Sequence, residues 1–412
     1  MITQSVVQRG FGRTFASLKH PNYRLWFIGQ LTSLMGTWMQ FAAQGYLVYV
    51  LTNSPAYLGY VSFANGLPTL LFTLYAGTVA DRISRRKLML VTQTMMMLLA
   101  FILAGLVFTG LIQAWHILVL AFFNGLANAF DSPTRLAFVT ELVDREDLPN
   151  AIALNATMFN AAGVVGPAAA GLIYAWFGPG WCFTINGLSF IAVIIALLLM
   201  KLSPVVLDQA RTSAWLGIRE GFSYIAKSPT IIILLTGLGV VGMFGFGIIA
   251  LMPAWARGVL SGDETTNGIL LASRGVGALI GALAIASLGR YKFRGRLWTI
   301  GSFTLPAFIF FFAISFWLPL SMIALVGVGI SFMMLVNTTN SMVQMRTPDH
   351  LRGRVMSVYS LVFMGGTPLG SLILGWMADG LTEQVTVIIS SVLVMLFGAA
   401  VWLFRPLLRK EE

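Results

Sequence analysis

Twelve apolar runs of about 20 residues or more follow one another along the 412-residue chain, and the connections between them hold nearly all of its charge. They fall at approximately 24–50, 56–80, 87–110, 114–133, 150–176, 181–201, 230–256, 265–289, 296–316, 318–340, 352–378 and 384–404. A hydrocarbon core about 30 Å thick is crossed by roughly 20 residues of α-helix at 1.5 Å per residue. In lipid the backbone N–H and C=O groups must pair within the protein, so a crossing segment is a helix or a strand of a closed barrel; these runs are about twice the length of a barrel strand. The expectation is an all-α membrane protein with twelve transmembrane helices. Only 10% of the residues are charged, against roughly a quarter in soluble domains. The net charge of +11 is parcelled out between apolar runs rather than gathered in one patch, so it reads as membrane orientation and not as a nucleic-acid surface. About twenty polar and basic residues precede the first run with no small-residue cleavage site, which reads as a retained span rather than a signal peptide.

The basic residues orient the spans. All but two of the 26 Lys and Arg lie in the N-terminal segment, the C-terminal segment or every second connection. By the positive-inside rule those faces, and both termini, are expected in the cytoplasm, which for so loop-poor a chain means a bacterial inner membrane. The exceptions are Arg257, in the connection after the seventh run, and Arg274, within the eighth. The long connection 202–229 places Trp215, Ile218, Phe222 and Ile225 on one helical face and Arg219, Glu220 and Lys227 elsewhere, as in a helix lying on the inner surface. Phe11, Phe15 and Leu18 with Arg13 and Lys19 form either a shorter interfacial helix or part of a disordered tail.

The chain repeats itself. Between the second and third runs, Gly77, Asp81, Arg82, Arg85, Arg86 and Lys87 make a charged turn, and 209 residues later Arg290, Arg294 and Arg296 stand where Asp81, Arg85 and Lys87 stand. His20-Pro21 matches Ser228-Pro229, Gly59 matches Gly268, and Leu148 and Ala151 match Leu351 and Arg354. The division expected is a six-helix bundle over 1–201, the linker 202–229 and a second bundle over 230–412, in parallel orientation with a substrate path between them near the midplane.

Two motifs carry a resemblance. The charged turn is similar to the G-x-x-x-D-R-x-G-R-R/K signature of the major facilitator superfamily, with Ser84 at the usual glycine. Ala162, Gly166, Pro167, Ala170 and Gly171 resemble the exporters' fifth-span signature G-x-x-x-G-P-x-x-G-G, and Gly366, Thr367, Pro368, Leu369 and Gly370 look like its partner in the eleventh span. The chain thus resembles, over nearly its whole length, the superfamily's small-molecule exporters, which include the enterobactin-exporter-like and macrolide-efflux proteins. The resemblance implies the major facilitator fold, two pseudo-symmetric six-helix bundles. Small residues at these positions let helices approach closely and the prolines bend them, so helix packing is the expected role of Gly166, Pro167, Gly171, Gly366, Pro368 and Gly370.

Asp81 is placed to pair with an arginine opening the eleventh span, Arg352 or Arg354, closing an inner gate in one state and opening it in the other, with Arg82 and Arg85 beside it; the alternative is that these charges only set topology. Proton-exchanging exporters commonly carry an arginine in the fourth span three residues before a Gln-Gly-like pair; Asn124-Gly125 is present, but Ala121 holds the arginine's place. The 15 carboxylates are read at connections, termini or span ends, leaving none at mid-membrane. Asp131, one helical turn from Arg135, is either a route for proton coupling and gating or a structural ion pair.

Arg274 lies some nine residues into its run, where a charge is costly unless it faces water, a carboxylate or a ligand. Two readings stand: it faces the central cavity and attracts an anionic or hydroxyl-rich substrate, or it snorkels outward or bonds backbone carbonyls. Gln40 and Gln44 share a face of the first run, Asn124 and Asn128 one of the fourth, and Asn65 lies in the second. The resemblance has spans 1, 4, 7 and 10 lining the cavity, which adds Asn337 and Asn340. Trp38, Met39, Phe41, Met158 and Phe244 offer adaptable apolar walls.

The expected function is a monomeric secondary transporter exporting a small, partly apolar molecule by alternating access, with protons as coupling ion by family resemblance; the alternative is a facilitated-diffusion carrier or importer of a small, possibly anionic, solute. No G-x-x-x-x-G-K-[ST] loop occurs, so ATP is not read as the driver, and no cofactor is implied. Cys182 alone excludes an internal disulfide; His20, His116 and His350 show no metal-ligand spacing; no nucleophile with a base can be assembled for an intramembrane enzyme.

Overall fold

The computed structural model of the protein describes residues 15–202, 214–288 and 293–404. The positions Phe11, Arg13 and Arg290 lie outside these ranges, and the side chains at 73, 74, 77, 78, 80, 81, 214–218 and 288, among them the expected gate residue Asp81 and the linker positions Trp215 and Ile218, lie outside the description. Every regular element described is helical. In chain order they are α1 (Pro21–Thr52), α2 (Pro55–Arg82), α3 (Arg85–Phe108), α4 (Ala114–Leu142), α5 (Leu148–Phe177), α6 (Pro179–Leu199) and the linker helix α7 (Ala214–Ala226). There follow α8 (Pro229–Val259), α9 (Glu264–Leu288), α10 (Arg294–Ala313), α11 (Leu318–Arg346), α12 (Asp349–Gly380) and α13 (Glu383–Phe404). Proline in the first turn opens α1, α2, α5, α6, α8 and α11, where its missing N–H costs nothing and its fixed φ is already helical. Gly178, at φ 85°, alone joins α5 to α6, a turn that side-chain-bearing residues rarely make.

Among the described residues nine helices are long and apolar enough to cross a membrane. The other long helices, α1, α2 and α4, have 32, 28 and 29 residues but carry polar stripes that lower their mean hydropathy. Large apolar side chains such as Ile102, Leu198, Leu283, Ile323 and Leu396 are exposed, as befits a surface solvated by lipid.

By contact the helices group as α1–α6 and α8–α13. α1 packs on α5 and α6, α2 on α4, and α3 on α4 and α6; α9 packs on α11, α10 on α11 and α13, and α12 on α8. Two crossings tie the groups together, α2 on α12 and α5 on α9. Lipid tails are as apolar as leucine, so helix association in a bilayer rests on close packing, and small residues mark where backbones touch. A Cβ on Gly59 would meet Ser371 O at 2.7 Å, one on Gly375 Pro55 O at 2.8 Å, and one on Gly268 Pro167 O at 2.5 Å. These contacts lie toward the face opposite the basic connections, where Ser54 Oγ donates to Asp379 Oδ1 (2.6 Å) and Trp376 Nε1 to Tyr60 OH (2.8 Å).

Two helices differ from the sequence expectation. α4 runs nine residues beyond the apolar run 114–133, because Phe138, Val139 and Leu142 keep a helical face buried with Trp26, Met89 and Ala151. Asp131 and Arg135 therefore lie inside a helix and not at a span end. The seventh span is not one regular helix: α-helix to Val240 gives way to a π-helical turn over Val241–Phe246, a 3-10 turn over Gly247–Leu251 and a second π-turn over Trp255–Val259. Gly242, Gly245, Gly247 and Pro253 weaken the α-ladder here, and α12 presses on it: a Cβ on Gly370 would clash with Met243 O, and Gly366 lies against Gly239 and Gly242.

On the basic face, α7 lies along α12 and buries Ile225 while exposing Phe222. A short 3-10 turn, Ala16–Lys19, ties the segment before α1 to the start of α5. Ser17 N donates to Asn150 Oδ1 (2.9 Å) and Ser17 Oγ to Asp147 O (3.0 Å), while Lys19 Nζ and His20 Nε2 reach Asp147 Oδ2 at 2.6 and 2.8 Å.

Candidate functional site

A cavity of about 460 Å³ lies between the two helix groups, on the basic side of the small-residue crossings. Helices α1, α2 and α4 line most of it with amides and hydroxyls; Phe246, Ile249, Ala250 and Pro253 of the irregular α8, Leu271 of α9 and Met364, Thr367 and Ser371 of α12 close it. The three helices that fall short in hydropathy are thus those that supply most of its polar wall.

Of the residues expected to bind substrate, Gln40, Gln44, Asn65, Asn124 and Asn128 line this cavity. Hydrogen bonds hold three of them: Asn186 Nδ2 donates to Gln40 Oε1 (2.7 Å), Gln40 Nε2 to Gln44 Oε1 (3.4 Å), and Asn65 Nδ2 to Ala121 O (3.2 Å). Asn337 and Asn340 are not in the lining; Gln344 Nε2 donates to Asn340 Oδ1 (2.6 Å) within α11. Of the apolar walls, Trp38 and Phe41 face the cavity, with Phe159, Phe190 and Phe246 beside them, whereas Met39 and Met158 are buried in helix contacts and Phe244 does not reach the lining.

Arg274 is 8% exposed and is not in the lining. Its guanidinium carbon sits 4.3 Å from the ring centroid of Phe246 and 5.5 Å from that of Phe332. In place of the expected water, carboxylate, ligand or backbone carbonyls, it meets two π faces. Phe246 is also cavity wall, so one ring separates the buried charge from the cavity.

Asp131, by contrast, is 1% exposed, lines the cavity and sits eleven residues, about 16 Å, before the end of α4. The expectation that Asp131 stands at the inner end of its span does not hold: it is buried inside the helix. Thr92 Oγ1 (3.0 Å) and Gln93 Nε2 (2.9 Å) donate to its Oδ1, and Arg135 Nη1 is 3.9 Å from its Oδ2.

The remaining gate residues occupy the basic face. Arg85 reaches Glu141 at 2.6 Å, joining α3 to α4, and Arg352 pairs with Asp349 at 2.5 Å within the first turn of α12. Arg354 pairs with Glu220 of α7, whose Gly221 lies against the Arg354 backbone; Tyr224 OH donates to Arg346 O at 2.9 Å. Arg82 is exposed at the end of α2. The six packing residues all fall at helix contacts: Gly166 on α1 at Trp38, Gly171 on α9 at Thr265, Pro167 on Gly268, Pro368 on Gly66, and Gly366 and Gly370 on α8.

Gln30, Ser33, Gln93 and Asn186 line the cavity without having been singled out from the sequence. The signal was there: Gln30, Ser33, Thr37, Gln40 and Gln44 follow one face of α1 at helical spacing, as Asn124, Asn128, Asp131 and Arg135 do on α4.

The family model described as "Transmembrane secretion effector" matches residues 12–412. The multidrug efflux pump Tap of Mycolicibacterium fortuitum is 27% identical over 93% of this chain and 95% of its own length. The enterobactin exporter EntS of Salmonella typhi is 24% identical over 95% of this chain and 94% of its own. Among solved structures, a point-mutant form of the nucleoside transporter NupG superposes with a TM-score of 0.73 at 15% identity, covering 93% of this chain and 99% of that one, which shows a shared fold. With the motifs of the second, fifth and eleventh spans in place and this match running almost end to end, the chain is an integral membrane protein belonging to the transmembrane secretion effector family of major facilitator transporters.

Proposed function

We propose that the protein exports a small, partly apolar molecule from the cytoplasm by alternating access, driven by a proton gradient. The observation that carries this is the cavity of about 460 Å³ between two helix groups that close backbone contacts join toward one face. With the basic connections in the cytoplasm, as the positive-inside rule requires, the contacts α2–α12 and α5–α9 close the outer face and the cavity belongs to the inner half of the cycle. Export needs those contacts to part and the inner face to close. Asp81, Arg82, Arg85, Arg352 and Arg354, with Asp131 and Arg135, are the residues we assign to the inner gate. In the conformation described, Arg354 is held by Glu220, so closing on Asp81 requires an exchange of partners. Gln40, Gln44, Asn65, Asn124 and Asn128 are assigned to substrate contact, and the aromatic wall of Trp38 and Phe41 to its apolar part. The efflux and exporter names of the relatives support the direction. The working unit is one chain in a bacterial inner membrane, with both termini in the cytoplasm.

The test is efflux of a panel of fluorescent compounds from cells that express the protein, with and without an uncoupler. Export that stops on adding the uncoupler and falls at least tenfold in Asn124→Leu is the expected result. Uptake instead of export, or export indifferent to the uncoupler, overturns the reading.

A further inference from the structure

The guanidinium of Arg274, a residue 8% exposed, makes no ion pair or hydrogen bond among the described residues. Helices α1, α5, α8 and α11, which pack on α9, carry no Asp or Glu, and the one carboxylate of α9 itself, Glu264, is ten residues away, about 15 Å along the axis. Asp131, the one carboxylate among the described residues of the cavity wall, belongs to α4 and is held there by Thr92 and Gln93. The π faces of Phe246 and Phe332 attract the charge of Arg274, but they offer no oxygen to its five N–H donors, and donors buried without acceptors cost free energy.

The charge and the ring that covers it are held differently. Beside Arg274 the backbone of α9 is fixed on two sides: a Cβ on Gly275 would meet Gly163 O of α5 at 2.5 Å, and one on Gly329 of α11 would strike the Arg274 carbonyl itself. Phe246 stands where the π-turn of α8 gives way to the 3-10 turn, with Gly245 and Gly247 on either side. There the α-register is already lost and the flanking residues have the widest φ/ψ range, so turning the ring disturbs less than moving the charge. Leu271, one turn before Arg274 on the same face of α9, lines the cavity, as Phe246 does. Arg274 therefore adjoins the cavity, behind the ring whose centroid lies 4.3 Å from its guanidinium carbon.

We propose that Arg274 is a covered anion subsite of the transport cavity, in which a substrate carboxylate displaces the Phe246 ring and pairs with the guanidinium. The planar fork of an arginine matches the two oxygens of a carboxylate. The substrate class that fits is an apolar molecule bearing a carboxylate, whose body meets the displaced ring. A neutral molecule of the same shape breaks the contact of Phe246 with Arg274 and gains no pair in return, so the site selects by charge. Arg135, the other cation in the lining, already faces Asp131 at 3.9 Å. This inference rests on the reading of the cavity as the substrate path.

The experiment measures equilibrium binding, to the purified protein in an uncharged detergent at neutral pH, of dansylglycine, a fluorescent carboxylate, and of dansylglycinamide, which keeps the apolar body and loses the charge. The quantity read is the affinity ratio of carboxylate to amide. The expected ratio is tenfold or more in the wild type, close to one in Arg274→Gln, at least threefold above wild type in Phe246→Leu, where the competing ring is gone, and within twofold of wild type in Arg135→Gln. A wild-type ratio near one overturns the subsite, and so does a ratio lost in Arg135→Gln but kept in Arg274→Gln, which gives the anion to the other arginine. A ratio that does not rise in Phe246→Leu overturns the displacement of the ring. Failure of both probes to bind also overturns the subsite, and the uncoupler-sensitive efflux assay then decides the transport reading separately. Should Arg274→Gln not fold, Arg274→Lys, which keeps the charge and loses the fork, must lower the ratio at least threefold or the proposal fails.

Discussion

Arg274 and Phe246 face each other at 4.3 Å, guanidinium carbon to ring centroid, with the ring between a buried cation and the central cavity. A desolvated contact of this kind stabilises by about 2 kcal/mol or more. Phe246→Leu strips the main π face from a charge that has no carboxylate partner among the described residues, whereas Arg274→Met removes the charge itself. Thermal unfolding in detergent should therefore show a larger loss for Phe246→Leu than for Arg274→Met. The double variant should recover part of that loss; a double variant less stable than Phe246→Leu alone rules the pairing out.

The crossing of α5 on α9 predicts a conformational effect. A Cβ on Gly268 would meet Pro167 O at 2.5 Å and Gly171 Cα at 3.1 Å, contacts between backbones that cannot yield locally. Gly268→Val should hold this crossing apart. A cysteine introduced at Thr265, on the same face, should then react faster with a membrane-impermeant maleimide than in the Gly268 background, and transport should fall at least tenfold. Cys182 is fully buried and adds little background.

At the linker, Arg354 and Glu220 form a pair that is partly exposed on both sides, and such pairs contribute between 0 and about 1 kcal/mol. Glu220→Ala should lower the melting temperature by no more than a degree or two and yet change transport, because Arg354 loses the partner that holds it away from the α2–α3 turn. Exchange of the two charges in Glu220→Arg with Arg354→Glu should restore thermal stability but not transport.

The contact before α1 sets a pH window. The Lys19 ammonium, and after it His20, bonds Asp147 and holds its carboxyl below the usual carboxylate range, while the same bond raises Lys19. A depressed carboxylate stabilises above its unfolded value of about 3.9 and loses that contribution as pH falls through the folded value; a raised lysine stabilises below about 10.4 and loses it as pH rises through the folded value. Asp147→Ala should thus speed proteolysis ahead of α1 throughout neutral pH, and the difference from wild type should vanish only in strong acid. A difference that already disappears near pH 6 would contradict the assignment to the carboxylate.

The order of the spans, the all-helical class and the family were legible in the chain, because each rests on a local rule: apolar length against bilayer thickness, basic residues on alternate connections, small residues at fixed spacing. The cavity's amides were partly legible for the same reason, since Gln40 with Gln44 and Asn124 with Asn128 share helix faces whatever surrounds them. Tertiary structure decided what no local rule reaches. Asp131 reads as a span-end charge until Phe138, Val139 and Leu142 find Trp26 and Met89 and carry α4 onward, burying the carboxylate. Arg274 takes two phenylalanines from α8 and α11, 28 residues before it and 58 after it in the chain, and Arg354 takes Glu220 from the linker. A charge in a membrane must find a partner, but which partner depends on the helix faces that meet, and that is settled only when the backbones have packed.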